Sequence, residues 1–389
     1  HSTEGRGGGE AVRMTVPGFV DLQVNGYLGT SFSDKALTRQ TFADACKNIL
    51  DDGGCACILP TVVTSPHETY EHVLPVMADV IENSLDYGIA RGRLLGIHME
   101  GPFISPEAGA RGCHPLESVL PRAEPSLLQK YQHLARGLVR LITIAAEVEG
   151  MEAFCRAAGE LGVVVSLGHQ VAAAADISRA ASAGATLLTH LGNGMPSSIH
   201  RHNNPLWSCL ADDRLSAMLI TDGQHLPPEA IVAFVRAKGL ERCIVTSDCA
   251  PVAGLPDGEY GALGGRVHVE GEHVRSADRQ YLAGSGALML ACVNHLASLP
   301  YSLRPGAPPG LEMRDLEEVA FFNPLRALGE DPRAVLAAWA GRPGLLSCGR
   351  AGPRSGLRFA RAAPGTRRPG SPGRCGRGTP PPSSSARRE

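Results

Sequence analysis

The 389-residue chain contains no apolar run near the ~20 residues that a membrane-spanning helix needs. Residues 1–16 are polar and Gly-rich and hold no signal-peptide core. These absences point to a cytoplasmic protein and away from export and membrane partners. Finger-like cysteine pairing is also missing. The eleven cysteines are scattered, and the closest two, Cys55 and Cys57, share an apolar run rather than a C-x-x-C motif. Reduced, buried thiols are the expected state. Basic charge is scarce over most of the chain. The net charge is −2, yet residues 351–389 hold nine Arg and one acid, Glu389, which is +8 and leaves −10 for the first 350 residues. An acidic body argues against nucleic acid as a partner.

What the chain does have is 43% hydrophobic residues, enough for a large core. From Phe19 to Asp248, short apolar, β-branched runs alternate with amphipathic or Ala-rich stretches, the pattern of repeated βα units. Eight strand candidates stand out: Phe19–Val24, Cys55–Leu59, Leu94–His98, Val139–Ala145, Val163–Leu167, Thr186–Thr189, Ala217–Ile220 and Cys243–Thr246. Helical stretches fall near 38–50, 67–83, 150–161, 172–183 and 228–238. Eight units favour a closed (β/α)8 barrel of the TIM type over an open sheet. After Asp248 come short strand-like segments at Gly264–Val269 and Tyr281–Ser285, then helices at 286–299 and 316–322. We divide the chain into a short segment 1–16, a barrel 17–329 and an Arg/Pro/Gly-rich tail 330–389. From 351 onward, seven Gly and seven Pro accompany the nine Arg, and we expect that part to be disordered and dispensable.

Chemically able residues follow the strand candidates: Gln23, Asn25, Glu100, Glu147, His169, His190, Asp222 and Asp248. A barrel gathers its C-terminal strand ends at one mouth. Glu100, His169 and His190 would then meet as two imidazoles and one carboxylate, a set of the kind catalytic zinc uses with the fourth position left for water. Any one of these taken alone is better explained as a structural histidine or an ion-paired glutamate. Asp248, at the eighth strand, is placed to carry a proton from water to a leaving amine, although Asp is also common in loops and caps. Gln23 and Asn25 alternate with Leu22 and Val24 and so share one side of the first strand. Neutral amides there suit hydrogen bonding more than a second metal, and turn chemistry at Asn25-Gly26 explains Asn25 equally well. His114, Asn193, Arg201 and His225 could meet an anionic polar substrate. Singly they are weak signals, and the cluster His200-Arg201-His202 reads by default as a solvated loop.

The ordered motifs carry more weight than any of these residues alone. Pro17-Gly-Phe-Val-Asp-Leu-Gln-Val-Asn-Gly, Gly96-Ile-His-Met-Glu-Gly-Pro-Phe, Ser166-Leu-Gly-His, Thr189-His-Leu-Gly-Asn-Gly-Met-Pro, Thr221-Asp-Gly-Gln-His, Leu282-Ala-Gly-Ser and Asn323-Pro324 occur in succession. Over roughly four-fifths of the chain this series resembles the N-acetylglucosamine-6-phosphate deacetylase family of the amidohydrolase superfamily. The resemblance implies hydrolysis of the acetamide of N-acetylglucosamine 6-phosphate, with Glu100, His169 and His190 holding one divalent metal and Asp248 as acid/base. Zn is the expected ion, with Fe, Co or Mn as alternatives. It also implies Cys113, His114, Asn193, Gly194, Arg201, His225, Leu282, Ala283 and Gly284 around the sugar phosphate, and a homodimer in which Arg201 crosses into the neighbouring active site. Gln23-Val24-Asn25 is similar to the single-metal branch, where superfamily relatives with two metals carry His-x-His.

Two departures from the family pattern stand out. Only 16 residues precede Pro17, and the stretch after Asn323-Pro-Leu-Arg-Ala-Leu-Gly becomes Arg/Pro/Gly-rich. We therefore expect the family's small β-sandwich to be an incomplete appendage here. Two other readings remain open at this point: a different amidohydrolase of the isoaspartyl peptidase or cyclic amidase type, and a catalytically inactive barrel acting as a binding protein.

Overall fold

In this computed structural model the structure describes residues 14–304, 306, 309, 311–340, 346–350 and 357–362. Eight parallel strands form one sheet in sequence order: β1 (Phe19–Val24), β2 (Cys55–Val63), β3 (Ile97–Glu100), β4 (Val139–Ile144), β5 (Val164–Leu167), β6 (Ala185–Leu188), β7 (Ser216–Ile220) and β8 (Cys243–Thr246). Helices follow each strand in turn: α1 (Arg39–Asp52), α2 (His67–Glu82), α3 (Pro125–Leu134), α4 (Met151–Glu160), α5 (Ala174–Ser182), α6 (Pro205–Ala211), α7 (Pro228–Lys238) and α8 (Met289–Ser298). The (β/α)8 barrel expected from the alternation is present.

β1 and β2 are buried at every residue because helices cover one face and barrel contents the other. That double burial makes their sequences continuous apolar runs. β2 continues through Pro60, which has no ladder donor to give. Opposite it, β1 advances from Asp21 to Val24 while β2 moves from Ile58 to Pro60, a bulge that absorbs the mismatch. β3 lies later than the expected Leu94–His98. Gly96, at φ 130°, breaks the extended run, and the strand ends on Glu100 itself.

The seam between β1 and β8 is closed mainly by side chains. Asp21 accepts hydrogen bonds from the Thr246 hydroxyl (2.7 Å) and the Ser247 amide (3.1 Å), and Asn25 N–H reaches the Cys249 carbonyl (2.8 Å). Burial pushes the Asp21 carboxyl above its usual range, and these donors only partly counter it.

Two helices of the barrel escaped the sequence reading, α3 and α6. Both are short and open with Pro, and at α6 Asn204 caps the amides of Leu206 and Trp207. Between β8 and α8 an antiparallel three-stranded sheet is inserted: β9 (Gly258–Ala262), β10 (Gly265–Glu270) and β11 (His273–Ser276). β10 matches the expected strand near Gly264–Val269. Tyr281–Ser285 instead forms a return segment held by isolated bridges, Leu282 to Arg275 of β11 and Ser285 to Cys249 just after β8.

The far end of the barrel is plugged. A helix runs Met313–Glu317, loosens to π geometry over Glu318–Phe322, and resumes over Asn323–Ala327. Its Phe321, Leu325 and neighbouring Leu328 pack with Val20, Leu22, Leu59, Leu141, Leu187, Met218 and Ile244. Asn323 donates to the carbonyls of Leu240 and Cys243 (2.8 Å each), and Glu317 accepts from Thr15.

The region after 329 differs from the tail expectation. A half-exposed helix spans Pro332–Ala338, with Val335 and Leu336 against the plugged end of the barrel, and β12 (Leu346–Arg350) pairs antiparallel with β13 (Leu357–Arg361). Leu357 and Phe359 are buried, and Phe359 meets Phe19 edge-on at 5.4 Å. Asn294 of α8 bonds both the amide and the carbonyl of Phe359 (2.7 and 3.0 Å). Two apolar residues in alternation thus anchor a strand inside a stretch whose average composition reads as disordered, and this corrects the expectation for 357–361. The remainder of that expectation, at 351–356 and 363–389, and most of segment 1–16 lie outside the described residues.

Candidate active site

The C-terminal strand ends converge as the barrel requires. Glu100 closes β3, His169 follows β5, His190 follows β6 and Asp248 follows β8; all four are buried. His169 Nε2 lies 3.0 Å and His190 Nε2 2.9 Å from Glu100 Oε1, with 3.0 Å between the two nitrogens. His169 Nδ1 contacts the Ala110 carbonyl at 2.7 Å. A carbonyl only accepts, so Nδ1 carries the proton and Nε2 presents a lone pair to the cluster. A carboxylate oxygen and imidazole lone pairs aimed at one point repel unless a cation lies between them. Tetrahedral bonds of about 2.0–2.1 Å would set such ligands roughly 3.3 Å apart. The residues present fit a divalent ion, and among the described residues this is the one group of three His, Cys, Asp or Glu found with that spacing.

Burial opposes the Glu100 charge, but the hydrogen bonds of His169 and His190, with the charges of His169 and His114, outweigh it and hold the carboxyl well below its usual range. Asp248 behaves oppositely. Burial and the Glu100 carboxylate push it up to about 6, and a cation at the cluster would draw it back down. Asp248 Oδ1 accepts from Gln23 Nε2 (2.9 Å) and Asn25 Nδ2 (2.8 Å), and Gln23 Nε2 also reaches Glu100 Oε1 (2.7 Å). The two amides therefore donate to the carboxylates, as expected for hydrogen-bonding residues, and both meet Asp248 at Oδ1 rather than Oδ2.

The backbone here is held in an unfavourable region. His169 (φ 51°), His190 (φ 31°) and Asp248 (φ 51°) are left-handed, at a cost of order 1–3 kcal/mol each for a non-glycine residue. Each carbonyl is taken by a loop amide: Ser105 N–H to His169 O and Ser285 N–H to Asp248 O from other loops, and Asn193 N–H to His190 O from the same turn, all 2.9 Å. These bonds turn three side chains off their strands and toward the mouth.

A cavity of about 510 Å³ opens over the cluster. Its lining includes Cys113, His114, Asn193, Gly194 and His225 on one side of the sequence and Leu282, Ala283 and Gly284 on the other. His114 is buried, which pushes its imidazole down to about 3, and its Nδ1 has no hydrogen-bond partner among the described residues. Arg201 is the exception. It is exposed, outside the cavity lining, with its carbonyl bonded by Trp207 Nε1 (2.8 Å). The sequence reading missed the apolar wall of Val63, Leu226, Phe234 and Leu263; such residues carry no signal that separates them from core. It also left Asp222 and Ser285 without a role. Asp222 Oδ2 accepts from His225 Nδ1 (2.8 Å) and Ser285 Oγ (2.7 Å), while Oδ1 accepts the amides of Gln224 (2.9 Å) and His225 (3.0 Å). Burial alone would raise Asp222, yet these donors hold its carboxyl well below the usual range. The Thr-Asp-x-x-His spacing was the available signal.

No family model matches the chain. It is 34% identical over 331 residues to N-acetylglucosamine-6-phosphate deacetylase of Bos taurus, covering 82% of this chain and 76% of the bovine protein. The same enzyme of Homo sapiens is 34% identical over 327 residues, covering 82% and 75% respectively. Among solved structures, N-acetyl-D-glucosamine-6-phosphate deacetylase from Mycobacterium smegmatis superposes with a TM-score of 0.71 at 29% identity, over 81% of this chain and 78% of that one.

Proposed function

The chain belongs to the N-acetylglucosamine-6-phosphate deacetylase family, and from that premise we propose that it hydrolyses the acetamide of N-acetylglucosamine 6-phosphate to glucosamine 6-phosphate and acetate. The observation that carries this reading is the convergence of Glu100, His169 and His190 beside Asp248 at the floor of one cavity. When bound, a divalent ion supplies a Lewis acid for the acetamide carbonyl and a water acidified toward neutrality. Glu100, His169 and His190 hold that ion. Zn is the best fit to two imidazoles and a carboxylate, although Fe, Co and Mn accept the same donors. One ion per subunit is proposed, because Gln23 and Asn25 give N–H donors where a second site would need lone pairs.

Asp248 takes a proton from the attacking water and returns it to the nitrogen as the C–N bond breaks, since an amide anion is a poor leaving group. His114, Asn193, Gly194, His225, Leu282, Ala283 and Gly284 surround the sugar phosphate, with Cys113 beside them. Arg201 lies outside its own subunit's cavity on a surface that also exposes Ile199 and Trp207. That placement supports a homodimer in which Arg201 reaches the partner's phosphate site. No helix among the described residues is long and apolar enough to cross a membrane, and the ten described cysteines are free thiols, in keeping with a reducing cytoplasm.

The test is acetate release from N-acetylglucosamine 6-phosphate by chelator-stripped protein, before and after one equivalent of zinc. Activity should return with zinc and be absent on isoaspartyl peptides and cyclic amides. A zinc-replete, folded protein that releases no acetate overturns the reading. Parallel assay of the galactosamine epimer reads out sugar specificity.

A further inference from the structure

The Asp222 carboxylate sits between two walls of the cavity, and both of its oxygens are committed to fixed donors. Its side chain is fully buried and that of His225 is 6% exposed. The Gln224 and His225 amides bind Oδ1, while His225 Nδ1 and the Ser285 hydroxyl bind Oδ2. Ser285 follows Ala283 and Gly284, which line the same cavity as His225. We propose that Asp222 is a positioning residue: it holds His225 in the tautomer that bears its proton on Nδ1, so that Nε2 meets the substrate, and it ties the Leu282–Ser285 return segment to that imidazole. The reading rests on the proposed deacetylase function for its kinetic arm only.

The chemistry of an amide replacement makes the idea testable. In Asp222→Asn the two backbone N–H donors cannot turn around, so the single carbonyl oxygen must stay on their side. The amide nitrogen is then forced toward His225 Nδ1 and donates to it, which places the ring proton on Nε2. A shape-conserving substitution therefore reverses the imidazole's hydrogen-bonding sense. The effect parallels the tautomer control exerted by a buried aspartate on a histidine in hydrolytic triads.

Nitrogen-15 histidine NMR of the metal-loaded full chain, with the His225 signals assigned by their loss in His225→Gln, should show Nδ1 protonated in the wild type and Nε2 protonated in Asp222→Asn. KM for the sugar phosphate should rise about ten- to a hundredfold, the loss expected when Nε2 can no longer accept a hydrogen bond from a sugar hydroxyl. Metal content should not change. In the His225→Gln background Asp222→Asn should add little, because its effect passes through the ring. Ser285→Ala, which removes only the second arm, should raise KM and keep the wild-type ring signature; an unchanged KM there removes the return segment from the proposal. An unchanged His225 tautomer in Asp222→Asn, or full additivity of the two substitutions, overturns it. A wild-type protein inactive on the sugar phosphate would refute the deacetylase reading while the NMR comparison still stands.

Discussion

Asp248 is the residue whose chemistry is most exposed to a single substitution. Its Oδ1 is occupied by two amide donors, so replacing the carboxylate by an amide of nearly the same shape should disturb packing little. Asp248→Asn removes the basicity at Oδ2, and kcat should fall by at least ~10²- to 10⁴-fold, the range for a lost general acid/base. Bound metal and melting temperature should stay near wild type. A variant that keeps its kcat would take Asp248 out of the mechanism. The contrast with Glu100 is instructive because both carboxylates are buried within one hydrogen-bonded group. Imidazole hydrogen bonds hold Glu100 ionised, whereas at Asp248 burial and the Glu100 charge outweigh the charges of His190 and His225 and the Asn25 donor. Environment, not residue type, separates a ligand from a proton carrier. The convergence of Glu100, His169, His190 and Asp248 was readable from sequence because each ends or follows a strand. The division of labour proposed for them depends on hydrogen-bond partners that sequence does not display.

At the scale of elements, the loops after the strands do the aiming. The eight strands were readable because burial on both faces writes continuous apolar runs, while α6, with seven residues, is too short to show periodicity. The position of Arg201 was not readable, since it depends on a loop held by the side chains of His200, Asn204 and Trp207. The loop after β6 gives the clearest prediction at this scale. Gly194 adopts φ 58°, and a Cβ there would lie 3.0 Å from His190 Cε1 and 3.1 Å from His169 Nδ1. Gly194→Ala should press on two of the three ligands and strain the backbone. Metal affinity, measured by chelator competition, should drop roughly ten- to a hundredfold, as when groups supporting ligands are altered. Unchanged affinity would mean that the loop yields without cost.

At the scale of the whole molecule, the barrel is sealed below by the helix over Met313–Ala327 and braced at its first strand by β13. Composition pointed to disorder there because it averages over residues, whereas packing depends on two of them, Leu357 and Phe359. Phe359→Ala should cost about 3–5 kcal/mol, the usual range for emptying a buried aromatic site. Thermal melting should shift down clearly, and an unshifted melt would show that β13 contributes nothing to the barrel. The edge-on contact between Phe19 and Phe359 also has a bearing on the order of assembly. During synthesis the first strand leaves the ribosome long before the partner ring that covers its outer side. Until then β1 presents an uncovered apolar flank, and loop closure over almost the full chain must precede its burial. The nascent barrel is thus most prone to association at its earliest-made strand, and chaperone dependence should ease only as β13 docks.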